Sequence, residues 1–217
     1  YSHILGQIDN DNYGVSGVER FFDKELKDIK KINELNELSI DTNIQYFIKQ
    51  ELNKAIDNFD ANGAAAILMN NTSGEVLSLV SLPDYNINIR KKIYEDKYTN
   101  KITKNLYEFG SVFKTFVVAL AIEEDLVSSK TKINNITKKI QCSKFKISDI
   151  HEFPSTMSVE DILIQSSNVG IIKIAQMIGE EKYKEFIKKL NLLNRPKFEL
   201  DEVSLPKKLK WNKCKLE

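Results

Sequence analysis

The chain has 217 residues, 41% apolar and 29% charged, an ordinary globular composition with enough length to bury a sizeable core in one or two domains. Its 32 basic and 31 acidic residues leave a formal net charge of +1, which gives no overall attraction to nucleic acid or to an anionic membrane. The longest apolar run, Phe116 to Ile122, falls far short of the roughly 20 residues that cross a bilayer.

The first 38 residues are uneven: a Gly/Asn/Asp-rich opening from Gly6 to Gly17, then Val18 to Asp23, then a charged run through Leu38. They read as the end of a preceding module plus a connector. The chain opens on Tyr1 rather than Met, so an upstream segment, with any membrane anchor, is expected in the parent protein. Asp41 stands before Ile44, Phe47, Ile48, Leu52, Ala55, Ile56 and Phe59, an apolar series at helical spacing that it is placed to cap. The apolar runs Ala64–Met69 and Val76–Val80 flank a turn-rich Asn70–Gly74, which predicts an antiparallel hairpin. Tyr85 to Tyr107 is polar and aperiodic and reads as an extended surface excursion. Ser111 to Glu124 is the most apolar helix in the chain, expected to be buried.

Residues 126–157 alternate weakly, as loops with short strands do, and Ser158-Val-Glu-Asp161 resembles a capping box that opens a short helix. A further helix is expected after Asn168, ending near Gly179, then an amphipathic one from Glu180 to Leu190 and a loop from Asn191 to Glu217. The order of one helix, a hairpin and then many helices predicts an α+β domain whose antiparallel sheet is short of strands. Cys142 and Cys214 fit no metal-ligand spacing and are expected to be free thiols, and His3 and His151 stand alone, so no metal is expected.

Chemistry points to Ser111-Val-Phe-Lys114. A three-residue step on a helix returns to one face, which makes the hydroxyl and the amine neighbours. A desolvated lysine gives up its proton more readily and can then take one from a serine. The helix start would also aim free N–H groups and a positive dipole end at a reacting carbonyl. Ser-x-x-Lys occurs four times, at Ser111, Ser129, Ser143 and Ser204, but only Ser111 follows a glycine and opens an apolar helix. The second feature is Ser166-Ser167-Asn168, a polar corner between helices and the one Ser-x-Asn in the chain; the bland alternative for both features is a helix cap.

Together these segments resemble the penicillin-binding protein and serine β-lactamase motif set, Ser-x-x-Lys, Ser-x-Asn and Lys-[Ser/Thr]-Gly. The third member is not found in the 217 residues. The likeness covers nearly the whole chain. His3-Ile-Leu-Gly6 and Gly14 to Asp23 resemble the end of the pedestal domain of class B penicillin-binding proteins. Leu38-Ser-Ile-Asp41 with Gln45 resembles the entry to their transpeptidase domain, and Asn70 to Pro83 with Tyr85-Asn86 resembles their first hairpin. Tyr107 to Thr115 matches the nucleophile segment, with Phe109 where members usually carry proline; Glu199 to Val203 and Pro206 before Trp211 are most like the septal cell-division branch.

The resemblance implies a penicillin-binding-protein/β-lactamase-like transpeptidase domain, an antiparallel sheet with a helical cluster, incomplete here: residues 1–38 would end the pedestal and connector, and 39–217 would begin the transpeptidase domain. It implies Ser111 as nucleophile, Lys114 as its base, Ser166 as proton relay, Asn168 as the group that binds the substrate amide, and the N–H of Ser111 in the oxyanion hole. It implies a D,D-transpeptidase acting on D-Ala-D-Ala stem peptides and blocked by β-lactams, with no cofactor or nucleic acid, divisome membrane proteins as partners, and a periplasmic domain anchored in the bacterial inner membrane outside this chain. Without Lys-[Ser/Thr]-Gly the 217 residues alone are expected to be inactive. The alternatives are a serine β-lactamase or β-lactam sensor, and an inactive remnant or divisome-binding piece.

Overall fold

The computed structural model describes residues 1–28, 30–31, 37–89, 96–142, 145–200 and 202–207. They divide into two units, Tyr1–Leu106 with Arg195–Leu205, and Tyr107–Asn194 with the stretch that begins at Pro206. This division by compactness falls after Leu106, whereas the pedestal boundary expected after Leu38 comes from family resemblance.

The first unit opens with three short helices, α1 (Ser2–Leu5), α2 (Gly17–Phe21) and α3 (Asp23–Lys27). Helix α4 (Thr42–Phe59) then starts where Asp41 predicts, the carboxylate accepting from the backbone N–H groups of Asn43 and Ile44 at 2.8 and 3.0 Å. It ends at Asp60 in the left-handed conformation. Its apolar stripe is half-buried at Ile44, Ile48, Leu52, Ala55 and Ile56, while Phe47 and Phe59 are exposed. The helix packs on an antiparallel hairpin, β1 (Ala64–Met69) and β2 (Val76–Leu82), with Ala64 opposite Leu82, Ile67 opposite Leu79, and an irregularity between Leu68 and Met69.

The side-chain amide of Gln45 donates to the carbonyl of Leu79 at 2.7 Å and accepts from its N–H at 2.9 Å, so a side chain occupies the edge of β2 as another strand would. The core of this unit gathers Ile4, Leu79 and Leu200 with Val18, Ile40, Ile102 and Phe198, which brings the Arg195–Leu205 stretch back onto the hairpin.

The expected surface excursion over Tyr85–Tyr107 needs correction. Residues 90–95 lie outside the described set, Asp96–Tyr98 forms a 3-10 turn, and Tyr98, Asn100 and Thr103 are buried. Asn100 earns no apolar contact pattern; its amide oxygen accepts from the N–H groups of Ile102 and Thr103, and its nitrogen donates to the carbonyl of His3 at 3.3 Å. Polar residues buried by satisfying backbone groups leave no apolar period to read.

The second unit is a helical cluster: α5 (Lys114–Glu123), α6 (Val159–Ile164), α7 (Asn168–Ile178) and α8 (Glu180–Lys189). Its core draws Val117, Leu120 and Ala121 from α5, Val159 and Ile162 from α6, and Val169, Ile174 and Ile178 from α7. Short strands join it, β3 (Lys132–Ile133) pairing with β6 (Met157–Ser158), and β4 (Lys139–Cys142) with β5 (Phe145–Ser148), both antiparallel. The capping box at Ser158 and Asp161 is formed in both directions. Cys142 is disulfide-bonded. That corrects the expected free thiol, because sequence spacing does not report which cysteines meet in space; Cys214 lies outside the described residues. The architecture is α+β, and no helix among the described residues is long and apolar enough to cross a membrane.

Candidate active site

Ser111 does not open an α-helix as expected. It lies in a 3-10 turn, Gly110–Phe113, that runs directly into α5 at Lys114. In a 3-10 turn, with three residues per turn, positions i and i+3 eclipse each other, so the tighter winding aligns Ser111 with Lys114 more directly than an α-helix would. The N-cap positions of the turn and of α5 are held by Phe109 and Phe113, so Ser111 is the cap of neither. Ser111 is exposed, whereas Lys114 is only 8% exposed.

The amine of Lys114 donates to the carbonyl of Ser166 at 2.6 Å, to its Oγ at 2.9 Å and to Asn168 Oδ1 at 2.7 Å. Ser166 Oγ in turn donates to Ser111 Oγ at 3.1 Å. Burial holds the Lys114 ammonium below the usual lysine range, with the negative charge of Asp149 pulling the other way. An open hydroxyl is thus joined through a second hydroxyl to a buried amine.

The corner that receives Lys114 divides its labour. Ser167 is the helix cap, its Oγ accepting from the N–H of Gly170 at 2.9 Å, so the cap reading is right for the middle residue and leaves its neighbours free for other work. Ser166 has φ of 54°, a left-handed backbone unusual for a residue with a Cβ. That conformation presents both its carbonyl and its hydroxyl to Lys114. Asn168 is held at both ends of its amide: Oδ1 accepts from Lys114, and Nδ2 donates to the carbonyl of Ser148 at the end of β5 at 3.0 Å. One acceptor direction and one N–H remain on that amide for a substrate.

Sequence reasoning passed over Asp149. It follows β5, is 5% exposed, and accepts from Ser167 Oγ at 2.9 Å, from the N–H of Val169 at 3.2 Å and from the N–H of Asn168. An acidic residue in a weakly alternating stretch carries no motif, and its partners lie about twenty positions on. Of the other Ser-x-x-Lys segments, Ser129 and Lys132 are exposed, Ser204 belongs to the other unit, and Ser143 lies outside the described residues.

A helical cluster that brings Ser-x-x-Lys and Ser-x-Asn into one hydrogen-bonded set joins two of the three motifs shared by serine β-lactamases and penicillin-binding proteins. Comparison with known proteins narrows this. The penicillin binding protein transpeptidase domain matches residues 64–214, and the chain belongs to that family. Among curated relatives, the peptidoglycan D,D-transpeptidase FtsI of Buchnera aphidicola (subspecies Baizongia pistaciae) is 30% identical over 82% of this chain and 34% of that protein. FtsI of Escherichia coli K12 is 30% identical over 80% of this chain and 33% of that protein. The chain therefore spans about a third of the length of the curated relatives it matches. Penicillin binding protein 3 of Mycobacterium tuberculosis shares the fold at a TM-score of 0.81 and 23% identity, over 94% of this chain and 48% of that one.

Proposed function

We propose that the protein to which this chain belongs is a peptidoglycan D,D-transpeptidase of the septal cell-division branch, with Ser111 as nucleophile, Lys114 as base, Ser166 as relay and Asn168 as substrate-binding residue. One observation carries the reading: the unbroken chain from Ser111 Oγ through Ser166 Oγ to the buried Lys114 amine. With Lys114 protonated, the hydrogens point from amine to Ser166 to Ser111. Loss of one ammonium proton lets the chain reverse, so that Ser111 donates to Ser166 and Ser166 to the neutral amine.

Ser111 Oγ then attacks the carbonyl carbon of the D-Ala-D-Ala bond while its proton passes to Lys114 through Ser166. Collapse of the tetrahedral adduct breaks the C–N bond, the departing D-Ala nitrogen takes that proton back along the same path, and an ester to Ser111 remains. An amine of a neighbouring stem peptide attacks this ester, the new amide forms, and Ser111 Oγ recovers a proton. A β-lactam undergoes the first half, but its amine stays tethered within the acyl group.

The family assignment supports the reaction class. The relatives named peptidoglycan D,D-transpeptidase FtsI support the same reaction class; the septal branch, divisome membrane proteins as partners and a periplasmic site at the inner membrane belong to this proposal through the family resemblance. The disulfide at Cys142 fits an oxidising compartment. In this reading residues 1–38 end the pedestal and connector, and 39–217 begin the transpeptidase domain. Lys-[Ser/Thr]-Gly does not occur in these residues, so the proposal concerns the longer protein.

The test is covalent labelling of the full-length protein with fluorescent penicillin. Labelling is expected in the parent and in Ser129→Ala, and not in Ser111→Ala; a labelled Ser111→Ala protein would remove the assignment.

A further inference from the structure

Resting on that reading, we infer that Asp149 is a positioning residue for the acyl-transfer machinery: its buried carboxylate clamps residues 167–169, through one hydroxyl and two backbone N–H groups, and so fixes the acceptors that hold Lys114. A buried carboxylate is costly unless its oxygens are well satisfied. Here the donors are two backbone N–H groups and one hydroxyl, all from consecutive residues of the corner. Ser167 Oγ takes only the N–H of Gly170, so the carboxylate completes the cap of α7 by taking those of Asn168 and Val169, and the same bonds that cap the helix hold the corner.

The clamp acts on geometry first. The left-handed backbone of Ser166 is unfavourable for a residue with a side chain, and persists only where its surroundings over-determine it. Asp149 grips the three residues that follow, and its own N–H is tied to the carbonyl of Lys138 at 3.1 Å. The Ser148 carbonyl beside it holds the Asn168 amide. The end of β5 thus fixes both sides of the cradle that receives the amine. Electrostatics adds to this, since Asp149 is the charge that acts on Lys114 against the effect of burial. Removing it must favour the neutral amine further.

Two substitutions separate these contributions. Asp149→Asn keeps an oxygen for the backbone N–H groups and removes the charge, whereas Asp149→Ala removes both. The measurement is the rate constant for acylation of the full-length protein by labelled penicillin, taken as a function of pH, with Ser111→Ala as control. Asp149→Ala is expected to lose about a hundredfold, the cost of a misplacement of order 1 Å. Asp149→Asn is expected to retain more activity and to move the acid limb of its profile to lower pH. An Asp149→Ala protein that acylates as fast as the parent overturns the inference; where that variant fails to fold, an Asp149→Asn profile whose acid limb stays at the parent's pH does so. Labelling of Ser111→Ala would instead overturn the acyl-enzyme reading itself, so the two failures are told apart.

Discussion

Lys114 directs its amine entirely to the 166–168 corner, two of its hydrogen bonds going to Ser166 and one to Asn168. Burial disfavours the ammonium and prevails over the opposing negative charge of Asp149, lowering the pKa. Only the neutral amine can accept a proton, so acylation is expected to rise with pH through this lowered value and to level off above it. Lys114→Arg keeps the positive charge but offers a guanidinium that does not deprotonate in proteins. It is expected to slow acylation about 10²- to 10⁴-fold, the usual contribution of a general base, across the whole accessible pH range. Stopped-flow acylation from pH 6 to 10 checks both statements; an arginine variant with the parent's profile would show that another group is the base. That Ser111 and Lys114 share one side of the turn was legible from helical spacing; that Ser166 Oγ stands between them was not. Asp149 was not, because its function exists only where β5 meets the start of α7.

Among the elements, local chemistry announced itself wherever a side chain serves its own helix. Asp41, the Ser158–Asp161 box and the break at Gly179 all stand where the sequence places them. The 98–103 stretch did not, because Asn100 is buried by bonds to backbone groups rather than by apolar periodicity. The same distinction governs Gly170. Ala is the better helix former by about 1 kcal/mol, and sequence rules alone would favour it in α7. In the fold, however, a Cβ there would lie 2.7–2.9 Å from three side-chain carbons of Ile162, which is wholly buried between the helices. Overpacking of that kind costs about 1–3 kcal/mol, more than propensity returns. Gly170→Ala is therefore expected to lower the unfolding midpoint in urea, and to lower it less in an Ile162→Ala background, which removes all three of those carbons. That difference is the diagnostic, since a backbone effect at Gly170 would not respond to trimming Ile162.

For the molecule as a whole, the two edges of its first hairpin matter most. On β2 the N–H of Asp41 bonds the Leu77 carbonyl and the Gln45 amide engages Leu79, so that edge is covered from within the chain. Strand β1 pairs only with β2 among the described strands, and Ile67, Leu68 and Met69 on it are 48%, 40% and 56% exposed. Its sequence, Ala-Ala-Ala-Ile-Leu-Met, has no charge and no proline, the devices by which natural edges resist pairing with other chains. A two-stranded hairpin is itself marginal in water and gains by recruiting a neighbour. The 217-residue polypeptide, prepared as such, is therefore expected to self-associate with rising concentration in sedimentation velocity. Ile67→Lys places a charge on that edge opposite Leu79 and leaves the Gln45 contacts untouched, so it is expected to hold the chain monomeric over the same range. If the lysine variant associates as the parent does, the contact lies elsewhere, and the exposed face of β1 is not what the isolated chain uses to bury its apolar surface.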